Sequence, residues 1–303
     1  MPADLHWYLS VVSDNIQQAE ATQKDLTDNG LYMNIQPVEP FVTTFWHQSD
    51  PYNLLTPNNY PAGCVAVAMA QCINYCRYPG NVNFRGYYYY TQSDNSTRYT
   101  VDSLDINGLY FYPFLDMYGR ASEGQKKSVA RLIRDCGFAT YMQYAKSGSG
   151  TYNYLAGMAL VESFKYPEES VKVGERRCFP SAEEWNTIIY RELQAKCPII
   201  YGGQDETEGG HAFVLCGLDA EGLVYVNWGW GGDSDGYYDI ALMNPSEMSF
   251  SVGQDMIYGI RSAAIPCDRV EPRVYSADYQ PYTFSFRNET DDDGIKHQTI
   301  YKI

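Results

Sequence analysis

The sequence has no run of 18 apolar residues, so no stretch of it reads as a membrane-spanning helix. It also lacks basic excess: 22 Lys and Arg face 37 Asp and Glu, a net charge of −15. With so little to neutralise phosphates, nucleic acid is excluded as the expected partner, and the balance suits solubility. The opening Met1-Pro2-Ala3-Asp4 has neither the basic n-region nor the apolar h-region of a secretory signal. Histidine is scarce, with four copies at 6, 47, 211 and 297. The eight cysteines (64, 72, 76, 136, 178, 197, 216, 267) are scattered through a long chain, unlike a small disulfide scaffold. Most read as buried free thiols. Cys72 and Cys76 lie four apart, but no CxxC or HxxxH accompanies them, so no metal site is expected. The glycines of Gly229 to Gly232 lack the Lys-Ser/Thr ending and following helix of a phosphate cradle. No cofactor is implied.

What is present is a chain of 303 residues, long enough for a sizeable core, with 45% hydrophobic residues. Its 29 tyrosines suit broad, partly wet surfaces around strands and loops. Apolar spacing of three to four predicts an amphipathic helix over 5–20. Prolines and paired turn residues make 36–60 extended and irregular, and 63–77 reads as a buried helix. Residues 81–112 are tyrosine-rich and strand-like or loop-like. A helix follows over 122–136 with Gly137 as its C-cap, then a Gly/Ser loop at 146–152 and a helix over 153–164. Ser181 to Glu184 spells a capping box ahead of another helix, which Pro198 stops. Strands then follow at 198–201, 212–218, 223–227, 236–241 and 256–260, separated by glycine turns. Helices first and antiparallel strands second predict an α+β fold.

The chemistry begins at Gly63-Cys64-Val65-Ala66-Val67-Ala68-Met69-Ala70-Gln71. A thiol on the first turn of a helix faces unpaired N–H groups and the positive end of the macrodipole, both of which favour thiolate. A base is needed, and His211 supplies a candidate, following Gly209-Gly210 and opening a strand. A Cys–His pair would activate the nucleophile. His6 and His297 lie near the termini, and His47 sits in an irregular stretch.

Three blocks, Gly63 to Gln71, Gly209-Gly210-His211-Ala212-Phe213-Val214 and Val226-Asn227-Trp228-Gly229-Trp230-Gly231-Gly232, are similar in order to the signature blocks of the streptopain family of papain-like cysteine endopeptidases. Gln48-Ser49-Asp50-Pro51-Tyr52-Asn53 resembles the family's Gln-x-x-Pro-Tyr-Asn run, and the block at Asn227 continues as Ser234-Asp235-Gly236-Tyr237-Tyr238. The resemblance covers about 36–265. It implies a papain-like fold, with a helical subdomain carrying Cys64 and an antiparallel sheet subdomain carrying His211.

The resemblance also assigns roles. Cys64 is matched to the nucleophile, His211 to the general base and acid, and Gln48 to the oxyanion donor. Trp228 is matched to a tryptophan beside the histidine, where its indole would shield the pair. Asn227 could share the task of orienting His211, and Trp230 is expected to pack. Ser147-Gly148-Ser149-Gly150 either borders the substrate cleft or is a bare linker.

Three segments are expected: 1–35, a remnant of a pro-segment with its linker helix; 36–265, the catalytic domain; and 266–303, a C-terminal β extension. The family is made as zymogens with a longer pro-domain, so the sequence is expected to start within a precursor, to be exported, and to have its own pro-domain as inhibitor. Protein or peptide substrates are implied. The alternatives are a catalytically silent papain-fold binding protein and a different thiol enzyme on the same scaffold, such as an amidase or transglutaminase.

Overall fold

Small apolar residues make the helix that organises the chain. In the computed structural model, which describes residues 35–92, 95–106, 121–261, 284–290 and 296–302, α1 runs Cys64–Cys76. Every residue from Val65 to Asn74 is buried, as expected of a helix enclosed on all sides. Gly63 begins it at φ 87°, a backbone angle that glycine adopts without strain, and Arg77 ends it in the left-handed region.

A hairpin of β1 (Val82–Gln92) and β2 (Asn95–Ile106) follows, and the two-residue β3 (Gln143–Tyr144) pairs parallel to β1. The tyrosine-rich segment is thus paired strand where it is described. Helix α2 (Glu123–Ala139) opens with a complete capping box. Ser122 Oγ accepts from the Gln125 N–H, and Gln125 Oε1 accepts from the Ser122 N–H. This helix runs past Gly137, which is not its C-cap; Thr140 is. Gly137 serves close approach instead, since a Cβ there would sit 2.1 Å from the Tyr144 hydroxyl. Helix α3 (Tyr154–Glu162) is short and buried along Ala156–Leu160.

Beyond β4 (Lys172–Glu175), α4 (Ala182–Gln194) is capped by Ser181, whose Oγ accepts from the Glu184 N–H. Only that half of the capping box read from the sequence is formed. The helix buries Trp185, Ile189 and Leu193 at the three-to-four spacing seen in the sequence. The remaining strands are β5 (Ile199–Asp205), β6 (Gly209–Leu218), β7 (Val224–Asn227), β8 (Gly236–Tyr238) and β9 (Val252–Tyr258). With β4 they form one six-stranded sheet in the order β4-β9-β5-β6-β7-β8, every neighbouring pair antiparallel. Strand β4 carried no sequence signal that separated it from a loop.

The central strand β6 splits its side chains by the period of two. Ala212, Val214 and Cys216 join the core built on α1 and α2. Phe213 turns to an aromatic group with Tyr201, Trp228 and Phe250. Residues 38–41 lie along the far end of β6: Val38 and Leu218 exchange main-chain hydrogen bonds, and the Phe41 N–H donates to the Cys216 carbonyl.

Strands β10 (Phe284–Thr290) and β11 (Lys296–Lys302) form an antiparallel hairpin within the expected β extension. The expected helix over 5–20 and Cys267 lie outside the described residues. No helix among the described residues is long and apolar enough to cross a membrane.

Candidate active site

Cys64 is the first residue of α1, where the leading N–H groups have no carbonyl one turn back to bond. Burial pushes its thiol pKa up. The His211 imidazole opposes this through a hydrogen bond and its charge, and the main-chain N–H groups of Ala212 and Val65 add to it. The opposing effects win, and the pKa lies below the ordinary thiol value. The buried Cys72 and Cys136 go the other way, held well above that value by burial, and Cys216 is pushed up to about 12. Cys64 therefore stands apart from these packed thiols in the direction of its shift.

His211 lies on β6 two residues into the strand. Its Nε2 is 2.8 Å from the main-chain carbonyl of Trp228. A carbonyl only accepts, so Nε2 carries the proton, and in the neutral ring Nδ1 is left as the basic nitrogen for Cys64. The sequence matched Trp228 to a shielding indole. What Trp228 contributes in the polar sense is its carbonyl.

The Trp230 ring lies nearer the imidazole than the Trp228 ring does. Trp230, expected to pack, stacks on the imidazole with centroids 4.8 Å apart and planes at 25°. The Trp228 ring, fully buried, lies farther at 6.2 Å. Phe250 adds a third aromatic at 5.5 Å. Two tryptophans separated by one glycine looked equivalent in kind from the sequence, and their depths could not be told apart.

Asn227 does not reach His211 through its own side chain hydrogen bonds. Its Nδ2 donates to the Thr44 carbonyl, and its Oδ1 accepts from Gln71 Nε2 and from the Gly229 N–H. Sequence reasoning singled out neither Thr44 nor Gln71 as a functional residue; Gln71 was visible only as the last residue of the Cys64 block.

Gln48 is brought toward Cys64 by its backbone, since its carbonyl accepts from the N–H of Ala62, two residues before the cysteine. Its side chain forms no hydrogen bond among the described residues. The loop is shaped by His47, whose Nδ1 accepts from the N–H groups of Gln48 and Ser49. That ring was set aside in the sequence. Its pKa is lowered by burial, which keeps Nδ1 free to accept. The adjoining Trp46 carbonyl accepts from the Gly231 N–H, which joins this loop to the glycine turn.

Residues 142–152 abut the start of α1: a Cβ on Gly63 would lie 2.6 Å from Met142 Cε and 3.3 Å from the Ser149 carbonyl. The Ser/Gly segment is therefore next to the residue preceding Cys64 and is not a free linker. Gln143, Ala145, Gly148, Gly150, Thr151 and Tyr152 line a shallow, open groove there.

The peptidase C10 family model matches residues 46–238. Streptopain of Streptococcus pyogenes serotype M28 is 33% identical over 239 residues, covering 73% of this chain and 59% of its own. The thiol protease/hemagglutinin PrtT of Porphyromonas gingivalis is 31% identical over 243 residues, 75% of this chain and 27% of its own. The chain thus spans less than two thirds of the length of these relatives. Among solved structures, active wild-type interpain A, a cysteine protease of Prevotella intermedia, matches at TM-score 0.67 and 34% identity, over 75% of this chain and 96% of that one. A prointerpain A fragment matches at 0.64 and 30% identity, over 85% and 83%. A helix-borne cysteine facing a strand-borne histidine, a family match across both, and an α+β fold shared with interpain A together settle the kinship: the chain belongs to the peptidase C10 family of cysteine peptidases.

Proposed function

We propose that this chain is a cysteine endopeptidase that hydrolyses peptide bonds in proteins through Cys64 and His211. The observation that carries the reading is the orientation of the imidazole: Nε2 is committed to the Trp228 carbonyl, and the other nitrogen serves a thiol whose pKa is depressed.

In this reading His211 Nδ1 takes the proton of the Cys64 thiol, the resulting thiolate attacks the substrate carbonyl, and the developing oxyanion is held by the Cys64 N–H and the Gln48 carboxamide. His211 Nδ1 gives its proton to the leaving amine, and the acyl-enzyme forms. The same nitrogen then takes a proton from water, the hydroxide adds to the acyl carbon, and the thiolate is released. Trp230 and Trp228 keep bulk water from the pair, which strengthens its electrostatics. We further propose export and synthesis as a zymogen, with the pro-domain as inhibitor. Support comes from the likeness to a prointerpain A fragment and to streptopain.

Incubation with a denatured protein under reducing conditions, beside Cys64→Ala and an alkylated sample, tests the reading. Cleavage by the wild type alone is expected. Binding without cleavage would favour a silent papain-fold protein, and cleavage by Cys64→Ala would remove the mechanism.

A further inference from the structure

The site depends on a single turn, because His211 Nε2 has for its partner a main-chain carbonyl and no side chain. A side-chain partner is chosen by residue type, whereas a carbonyl must be aimed by whatever holds its peptide plane. Two sets of contacts hold this one. The Trp228 carbonyl and the Gly229 N–H belong to the same planar unit and point in opposite directions. Asn227 Oδ1 accepts that N–H at 3.1 Å, which turns the carbonyl toward His211. The preceding unit is fixed as well, since Asp235 Oδ1 accepts the Trp228 N–H at 2.8 Å. With both planes held, the φ and ψ of Trp228 have no freedom left.

Asn227 is held in turn. Gln71 Nε2 donates to its Oδ1 at 3.0 Å, Thr44 Oγ1 donates to Gln71 Oε1 at 2.6 Å, and Asn227 Nδ2 donates to the Thr44 carbonyl at 2.6 Å. The ring is closed and its three members are buried. Gln71 sits two turns along the helix that begins with Cys64, and Thr44 lies four residues before Gln48. The ring therefore references the imidazole's partner to the elements carrying the nucleophile and the oxyanion donor.

We propose that Asp235 and Gln71 are positioning residues for His211, aiming the Trp228 carbonyl at Nε2 from two sides. The proposal rests on the reading of Cys64 and His211 as the working pair. Neither residue touches substrate. Each acts by fixing where the ring stands relative to the thiol, so its loss loosens the hydrogen bond that favours thiolate.

The test measures kcat, KM and the pH dependence of Cys64 alkylation by iodoacetamide in Asp235→Ala, Gln71→Met and Asp235→Asn, all rates normalised to titrated active thiol. Loss of folding alone lowers the titre but leaves the pH profile of the surviving molecules in place. Mispositioning lowers kcat by about 10- to 100-fold with KM little changed, and moves the acid limb of alkylation to higher pH. Asp235→Asn keeps an acceptor oxygen, and both kcat and the limb are expected to return toward wild type.

Wild-type kcat and an unmoved limb in folded Asp235→Ala or Gln71→Met would overturn the proposal. So would folded Asp235→Asn that is as impaired as His211→Ala, which decides the matter even where the other two variants do not fold. Failure of the pair itself reads differently: wild-type protein would then show no alkylation below the ordinary thiol range.

Discussion

Trp230 lays its indole on the imidazole of His211, 4.8 Å between centroids and 25° between planes, while Trp228 reaches the same ring through its carbonyl. The two tryptophans therefore meet the imidazole differently, one by its ring and one by its main chain. Trp230→Ala uncovers the imidazole and is expected to lower kcat/KM about tenfold, the scale on which a water-excluding contact acts. Trp228→Phe retains the carbonyl and is expected to cost less per titrated site. The reverse order in steady-state kinetics would return the shielding role to Trp228.

His211→Ala removes the hydrogen bond and charge that, together with the Ala212 and Val65 N–H groups, outweigh burial at Cys64, leaving burial opposed by those two N–H groups alone. Alkylation at pH 6 to 7, measurable in the wild type, is then expected to fall by roughly 100-fold or more. A His211→Ala protein that alkylates as fast as wild type near neutrality would show that the helix start alone makes the thiolate.

Gly63 holds φ 87° and leaves room for Met142 where a Cβ would sit 2.6 Å away. Gly63→Ala strains the backbone and displaces Met142, costing about 1–2 kcal/mol of stability. In the proposed mechanism the strained cap also shifts the Cys64 N–H that would hold the oxyanion. The expected sign is a drop in kcat larger than the drop in melting temperature explains, read by kinetics beside calorimetry.

Burial raises the Asp235 pKa to about 6 against the Trp228 N–H, and burial raises Asp255 to about 6 against the hydrogen bond from Asn153. Between the ordinary value near 3.8 and about 6, the folded protein holds protons that the unfolded chain has lost. Folding stability therefore falls as pH rises through that window and levels off above it. Asp235→Asn has no charge to bury, so its folding stability in denaturant unfolding is expected to exceed wild type at pH 8 by an amount on the order of 1–2 kcal/mol. The gain should vanish toward pH 4. A gain independent of pH would assign the effect to packing.

Arg261 Nη2 donates to both carboxylate oxygens of Glu192 at 2.5 and 2.6 Å, the two side chains are mostly buried at 12% and 13% exposure, and Glu192 also accepts from the Gly259 N–H. The pair ties α4 to the chain just past β9. Removing one partner strands the other charge, so Glu192→Ala is expected to lose about 3–5 kcal/mol in denaturant unfolding. An exposed pair such as Arg177 with Glu175 should cost less than about 1 kcal/mol on the same measurement.

What the sequence made legible was where side-chain type and local pattern decide the placement. Cys64 at a helix start and His211 at a strand start follow from residue identity and local pattern. The two halves of the fold follow from apolar periods of 3.6 and 2. What escaped was whatever main-chain atoms or close approach decide. No residue letter announces that the Trp228 carbonyl is the partner of His211. Gly137 reads equally well as a cap or as a notch for Tyr144, and only the neighbour's position chooses between them. Asp235 was in plain view within its block, but its role runs through a peptide seven residues away.

The segment from Val38 to Gln48 has no helix and pairs only by isolated contacts, yet it touches the end of β6, the approach to α1 and the glycine turn. It works as a seam between the helical half and the sheet half. One covalent break along it would leave α1, α2 and the six-stranded sheet with their own hydrogen bonds. The nicked protein would keep its circular dichroism but lose the placement of Gln48 beside α1, and with it the proposed activity, by one cut outside every regular element.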